Sequence, residues 1–148
     1  MKFLKIATAA AASFALAGPT LADETSTGFA AHTLERLKGN SGITLQWIGW
    51  EDRGAVTMRR VDGTIYLTGG QIDPKGAGSL WLDGVVVEAG DDYFTFEGVI
   101  RISNTPDKGR ICEGTRRWHF AITQNRKYYR LREFEWCDGL TDYIDIYF

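Results

Sequence analysis

Histidine is nearly missing from this sequence, with two in 148 residues; methionine and cysteine are equally scarce at two each, and proline numbers three. His32 and His119 stand alone, so there is no His-x-x-x-His pair to hold zinc. Gly-x-Ser-x-Gly and the Gly-rich phosphate loop are also absent. Nucleophile elbows and nucleotide cradles therefore have no foothold. The reading leans away from an enzyme, and no catalytic residue, metal or cofactor is assigned. Charge of one sign is lacking too: 17 basic against 19 acidic residues exclude a global pull toward nucleic acid or anionic membrane.

One apolar run does stand out, at the start. Met-Lys-Phe-Leu-Lys leads into an Ala-, Phe- and Leu-rich stretch, then Gly18-Pro19-Thr20-Leu21-Ala22 before Asp23 and Glu24. The run falls short of the ~20 residues a spanning helix needs. It reads as a secretory signal peptide cleaved after Ala22, covering 1–22, with no cysteine following to be acylated. No membrane span is expected after cleavage. Losing Lys2 and Lys5 with no acid leaves 15 basic against 19 acidic residues, a charge of −4. Both cysteines, Cys112 and Cys137, lie in the exported part, where a disulfide is the default. Closing that loop contributes about 3 kcal/mol.

A helical pattern is confined to His32–Lys38, with Leu34 and Leu37 three apart, Thr33 as a cap and Gly39 as a stop. It belongs to an N-terminal segment, 23–42. From Ile43 the period becomes two, and 43–148 reads as one β-domain. Strands are expected at 43–50, 54–61, 64–70, 79–88, 92–102, 114–123, 126–136 and 140–147. Turns are expected at Asp62-Gly63, Gly90-Asp91, Gln124-Asn125 and Asp138-Gly139. The links 71–78 and 103–111 read as loops. Eight strands with one short helix predict an all-β fold, a small antiparallel up-and-down barrel or barrel-like meander, with a β-sandwich as the alternative.

Hairpin turns fix registers. Thr123 opposite Arg126 carries Cys112 opposite Cys137, at bridging distance. Trp118, Phe120, Ile122, Tyr129 and Leu131 then share a core face. Arg117 meets Arg132, His119 meets Arg130 and Ala121 meets Tyr128 on the other. Past Leu131 the alternation inverts, and a bulge near Glu133 threatens the match. The Asp138-Gly139 turn sets Ile146 against Leu131, Phe148 against Tyr129, Asp145 against Arg132 and Tyr147 against Arg130. The remaining turns match Met58 with Leu67, Val85 with Phe96 and Val87 with Phe94.

The segment 108–132 holds eight basic residues against one acid, Glu113. Arginines facing each other are unfavourable unless an anion lies between them. The protein's own acids, Asp145 first, can supply it. If they do not, Arg117, His119, Tyr128, Arg130 and Arg132 form a shallow ligand site for an anionic or amphipathic molecule. Asp138, Asp142 and Asp145 lack the ligand spacing of a helical calcium loop and read as turn formers and salt-bridge partners. The five tryptophans are core or rim packing, or else line a cavity inside the barrel.

The ending Cys-Asp-Gly-Leu-Thr-Asp-Tyr-Ile-Asp-Ile-Tyr-Phe, preceded by Arg-Lys-Tyr-Tyr-Arg-Leu-Arg, resembles a group of uncharacterised small exported proteobacterial proteins, from about Phe94 onward. The resemblance implies a Gram-negative periplasmic or secreted setting and brings no site residues. The function expected is a soluble periplasmic β-barrel binding module for a small or envelope-derived ligand. A protein inhibitor of an envelope-directed hydrolase is the alternative, and a small outer-membrane barrel a minor one. An enclosed aromatic cavity would favour the first. A filled core with a protruding charged loop at 71–78 or 103–111 would favour the inhibitor.

Overall fold

A computed structural model describes residues 28–148, so the expected leader at 1–22 and the start of the N-terminal segment lie outside the described residues. The elements run α1 (Ala31–Lys38), β1 (Gly42–Leu45), β2 (Ala55–Val61), β3 (Thr64–Ile72), β4 (Ser79–Ala89), β5 (Tyr93–Ser103), β6 (Ile111–Ala121), β7 (Tyr128–Leu131) and β8 (Ile144–Tyr147). All eight strands form one antiparallel sheet in the order β1-β8-β7-β6-β5-β4-β3-β2. The two ends of that order meet at Ile43 and Gly54, whose backbones exchange bonds of 2.8 and 3.1 Å. The result is a nearly closed barrel, as the meander predicted.

Closure rests on Gly54. A Cβ there would lie 1.9 Å from the Gly70 carbonyl oxygen, so only glycine lets the chain enter β2 this close to β3. The inner face is filled by side chains. Trp118, Tyr129, Phe94, Phe96 and Phe120 are all 0–1% exposed, among Leu45, Ile65, Leu67, Leu82 and Ile146. Phe94 and Phe120 stack at 4.9 Å, and Tyr129 meets Phe94 edge-on at 5.2 Å. Such pairs add to plain area burial.

The helix covers one end of the barrel, Leu37 being fully buried. Thr33 does not cap it. Ala30 occupies that position without a side-chain bond. Thr33 is buried instead and donates to the Gly90 carbonyl at 2.7 Å, tying α1 to the β4–β5 turn.

At the β2–β3 hairpin the expected register holds. Asp62 (φ 48°) and Gly63 (φ 81°) make the left-handed turn that sets Met58 against Leu67. Gln124 and Asn125 (both φ 55°) also form the expected turn, with Arg126 N–H donating to Thr123 O at 3.2 Å, but here the register does not carry on into the strands.

Three registers differ. The β4–β5 turn sits one residue further along, at Asp91-Asp92, with Gly90 N–H donating to Tyr93 O, and β4 bulges between Val86 and Glu88, so Phe94 faces Ala89 and Phe96 faces Val86. Beyond the bulge the net shift is odd and turns Val86 into the core in place of Val85, while on the turn side it is even and Ala89 takes the place of Val87 opposite Phe94. In β6–β7, Phe120 faces Leu131 and Ala121 faces Arg130, and the Arg132 N–H donates to the His119 carbonyl. Two extra residues after Arg126 cause this slip. Because it is even, Trp118, Phe120, Tyr129 and Leu131 still point inward. In β7–β8 the partners are Tyr128–Tyr147, Tyr129–Ile146 and Arg130–Asp145, again two positions from expectation.

The cause of the last shift is that no hairpin forms at Asp138-Gly139. After Leu131 the chain leaves the sheet and runs as an irregular arm, 132–143, before rejoining as β8. The expected long strands 126–136 and 140–147 are therefore four residues each.

Candidate functional site

The outward-facing basic row is divided among several partners. Arg117, on β6, is exposed and pairs with Glu97 of β5 at 2.8 Å. His119 points its Nδ1 at the Glu133 carboxylate, which also accepts from the His119 backbone N–H at 2.9 Å. Arg130 forms a two-pronged pair with Asp145, both bonds 2.7 Å, and lies 4.0 Å over the Tyr143 ring. Burial pushes the Asp145 carboxyl upward, while Arg130 works against that. Tyr128 packs on Tyr147 at 5.4 Å. Own-acid neutralisation thus accounts for Arg117, His119 and Arg130, and the expected facing pairs Arg117–Arg132 and His119–Arg130 do not occur.

Arg132 is the exception. It is exposed, lies 5.8 Å over the Phe134 ring, and has no carboxylate partner among the described residues. Arg116, a position outside the expected set, shares this condition, its guanidinium being 5.1 Å over Trp118. Arg116 and Arg132 line one cleft of about 310 Å³ with Glu133, Phe134, Glu135 and Trp136. Trp136 meets Trp118 edge-on at 5.1 Å, and its indole N–H is buried without a partner among the described residues. Gly114 makes room for that contact, since a Cβ there would come 3.2 Å from both indoles.

The cleft is a window in the barrel wall. Its lower edge is the disulfide, Cys112–Cys137, with Cα atoms 5.8 Å apart. Its upper edge is the Arg132–His119 backbone bond of 2.7 Å. Between these ties six residues of β6, 113–118, face only four of the arm, 133–136. The arm turns at 134–135 and cannot keep a ladder. The register slip gained after Arg126 is given back here. This is why Cys112 meets Cys137 as the spacing predicted, although the strand between them does not run as predicted.

Below the disulfide the arm is clamped again. Arg110 is nearly buried and binds Asp138 at 2.7 and 2.9 Å and Asp142 at 2.8 Å twice. Asp142 is fully buried and also accepts from the Trp47 indole at 2.9 Å. Asp138 first, then Asp142, raise the Arg110 guanidinium, and Arg110 holds Asp138 down at about 2. The acids at 138, 142 and 145 are salt-bridge partners, as read. Arg110 was legible as basic but not as their hub, because its partners come from a segment 28 and 32 positions away.

Two braced loops sit at the same end. In 73–78 the Asp73 N–H donates to Gly78 O at 2.8 Å, and the Lys75 N–H to the Asp73 carboxylate at 2.9 Å. In 104–110 the Asn104 N–H donates to Arg110 O at 2.7 Å and the Gly109 N–H to the Asn104 side chain at 2.9 Å. Lys75 and Lys108 are exposed at the tips.

No helix among the described residues is long and apolar enough to cross a membrane. The chain belongs to the PM1083 family, which is matched over residues 20–148. It is 33% identical over 115 residues to "Uncharacterized protein PM1083" of Pasteurella multocida (strain Pm70), covering 76% of this chain and 74% of that protein. No solved structure matches it.

Proposed function

We propose that this PM1083-family chain is an exported periplasmic binding module that takes an anionic ligand on its outer wall, at the window between β6 and the arm. The observation that carries this is the pair Arg116 and Arg132, which line one cleft and are engaged there by aromatic faces with no carboxylate partner among the described residues. Unpaired guanidinium forks are the side chains that recognise carboxylate and phosphate. The filled interior favours the shallow site on the outer wall over the alternative of a cavity inside the barrel. Export is supported by the leader-like start and by the Cys112–Cys137 bond, which suits an oxidising compartment. Asp83, Glu97, Arg101, Glu113 and Arg117 on the outer wall suit water better than a lipid-facing band.

The test is an NMR titration of the protein with succinate and with phosphate, following the Trp136 indole and the Arg132 side chain. Saturable shifts that disappear in the Arg116→Ala/Arg132→Ala double variant are expected. Unchanged signals at high millimolar concentrations of both anions would overturn the site.

A second reading, a protein inhibitor of an envelope hydrolase, is favoured by the filled core together with the two internally bonded loops carrying Lys75 and Lys108. A braced loop enters a cleft with little ordering cost. Slowed hydrolysis of cell-wall suspensions by periplasmic extract, relieved by Lys75→Ala/Lys108→Ala, would move the assignment to this reading.

A further inference from the structure

The long edge of β6 that faces the window is open. In an antiparallel strand alternate residues turn both backbone groups to the same side. The β5 side is fixed by Asn104 N–H donating to Arg110 O and Ile122 N–H donating to Asp92 O, so even-numbered residues of β6 bond β5. Odd-numbered residues face the other way. His119 shows this, since its carbonyl accepts from Arg132 and its N–H is taken by the Glu133 carboxylate in place of a strand. Glu113, Thr115 and Arg117 come next in that series. They are exposed, and their N–H and C=O groups meet no partner among the described residues.

Three consecutive free rungs, spaced about 6.7 Å apart, therefore look into the cleft that Arg116, Arg132 and Trp136 line. A small anion can accept from an N–H but leaves every C=O of these rungs unpaired. An extended chain uses all of them. We infer that the window binds an extended segment of a partner protein carrying acidic side chains, which adds a strand to β6 at Glu113, Thr115 and Arg117 while Arg116 and Arg132 take its carboxylates. This rests on the anion site proposed above. Strand addition draws affinity from backbone bonds and selectivity from side-chain contacts. Arg116 and Arg132 supply that selectivity through charge complementarity.

The disulfide and the Arg132–His119 bond limit the segment to the length of the window, and tie the arm so that it cannot swing in to cap the edge itself. An open edge of this kind is a template for pairing unless managed.

The experiment is amide hydrogen exchange on the intact, oxidised protein, alone and with the acetylated, amidated peptide Val-Glu-Val-Glu-Val, which matches residues 113–117 in length. In the free protein the amides of Glu113, Thr115 and Arg117 exchange fast while those of Gly114, Arg116 and Trp118 are protected. With millimolar peptide the three odd amides slow by roughly tenfold or more. A peptide N-methylated at alternate residues gives no protection. Replacing its glutamates with glutamine, or using Arg116→Ala/Arg132→Ala, weakens binding by roughly tenfold.

Odd amides already protected at all concentrations in the free protein would overturn the inference, because the edge would be covered. Protection that rises with protein concentration would name a second copy as occupant and overturn it too. Absence of protection at millimolar peptide also overturns it. If succinate and phosphate titrate Trp136 and Arg132 while no amide is protected, the anion site stands and strand addition falls. If neither responds, both fall.

Discussion

Leu131 and Arg132 are neighbours whose side chains do different work. Leu131 is fully buried opposite Phe120, and truncating it leaves a cavity in a close-packed core. Leu131→Ala should cost about 2–5 kcal/mol in a denaturant melt, and Arg132→Ala less than about 0.5 kcal/mol. The reverse order would mean that the faces are misassigned. Asp138 makes a pH prediction. Its carboxyl is held down from 3.8 to about 2, chiefly by Arg110. A carboxyl lowered on folding contributes stability that is complete above its unfolded value and is lost as pH falls through the folded one. Melting temperature should therefore drop as pH falls from 3.8 toward about 2, and Asp138→Asn should flatten part of that drop. An identical profile in the variant would remove Asp138 from the clamp. Asp142, fully buried between Arg110 and Trp47, is the more costly member to lose. Asp142→Ala leaves the Arg110 guanidinium short of a partner and should cost about 3–5 kcal/mol, measured as a shift in the urea midpoint.

Among the elements, the disulfide holds the arm at the point where its ladder has failed. Cys112→Ser should lower stability by about 2–5 kcal/mol, with reductant producing the same fall in the wild type; a melting temperature indifferent to reductant would contradict this. The sequence made most strands, the Asp62-Gly63 and Gln124-Asn125 turns and the cysteine pairing readable, because left-handed turn residues and period-two burial are local signals. Of the arm it showed only the start, as the inverted alternation past Leu131. Asp138-Gly139 looks like a hairpin turn, but two arginine–aspartate pairs, Arg110 with Asp138 and Asp142, pull that stretch out of the sheet, and such non-local bonds leave no periodic trace. The same limit hid half of the candidate site. Arg132 was singled out for its charge. Arg116 has inward parity on β6 and is exposed only because the arm bows away from it, which no pattern of β6 alone reveals. Even slips preserved faces, so the core of β6 and β7 was readable even where the partners were not, whereas the odd shift in β4 hid Val86.

At the scale of the whole molecule, Gly54 closes the barrel and should tolerate no side chain. Gly54→Val places a branched group against the Gly70 carbonyl, and the expected result is loss of the Ile43–Gly54 bonds, seen as faster exchange of both amides and a lower melting temperature. Full retention of both would mean that the barrel closes without this approach. The sheet order has one further implication. Seven strands follow one another as a meander, but β1 sits between β8 and β2, with Gly42 opposite Tyr147 and Leu45 opposite Ile144. A chain emerging from the ribosome makes β1 early and must carry it unpaired on the β8 side until Ile144–Tyr147 has been made. Loops this long close slowly. Closure is thereby the last step of folding, and any intermediate that lacks β8 must hold β1 as an open edge beside a barrel that is otherwise a simple meander.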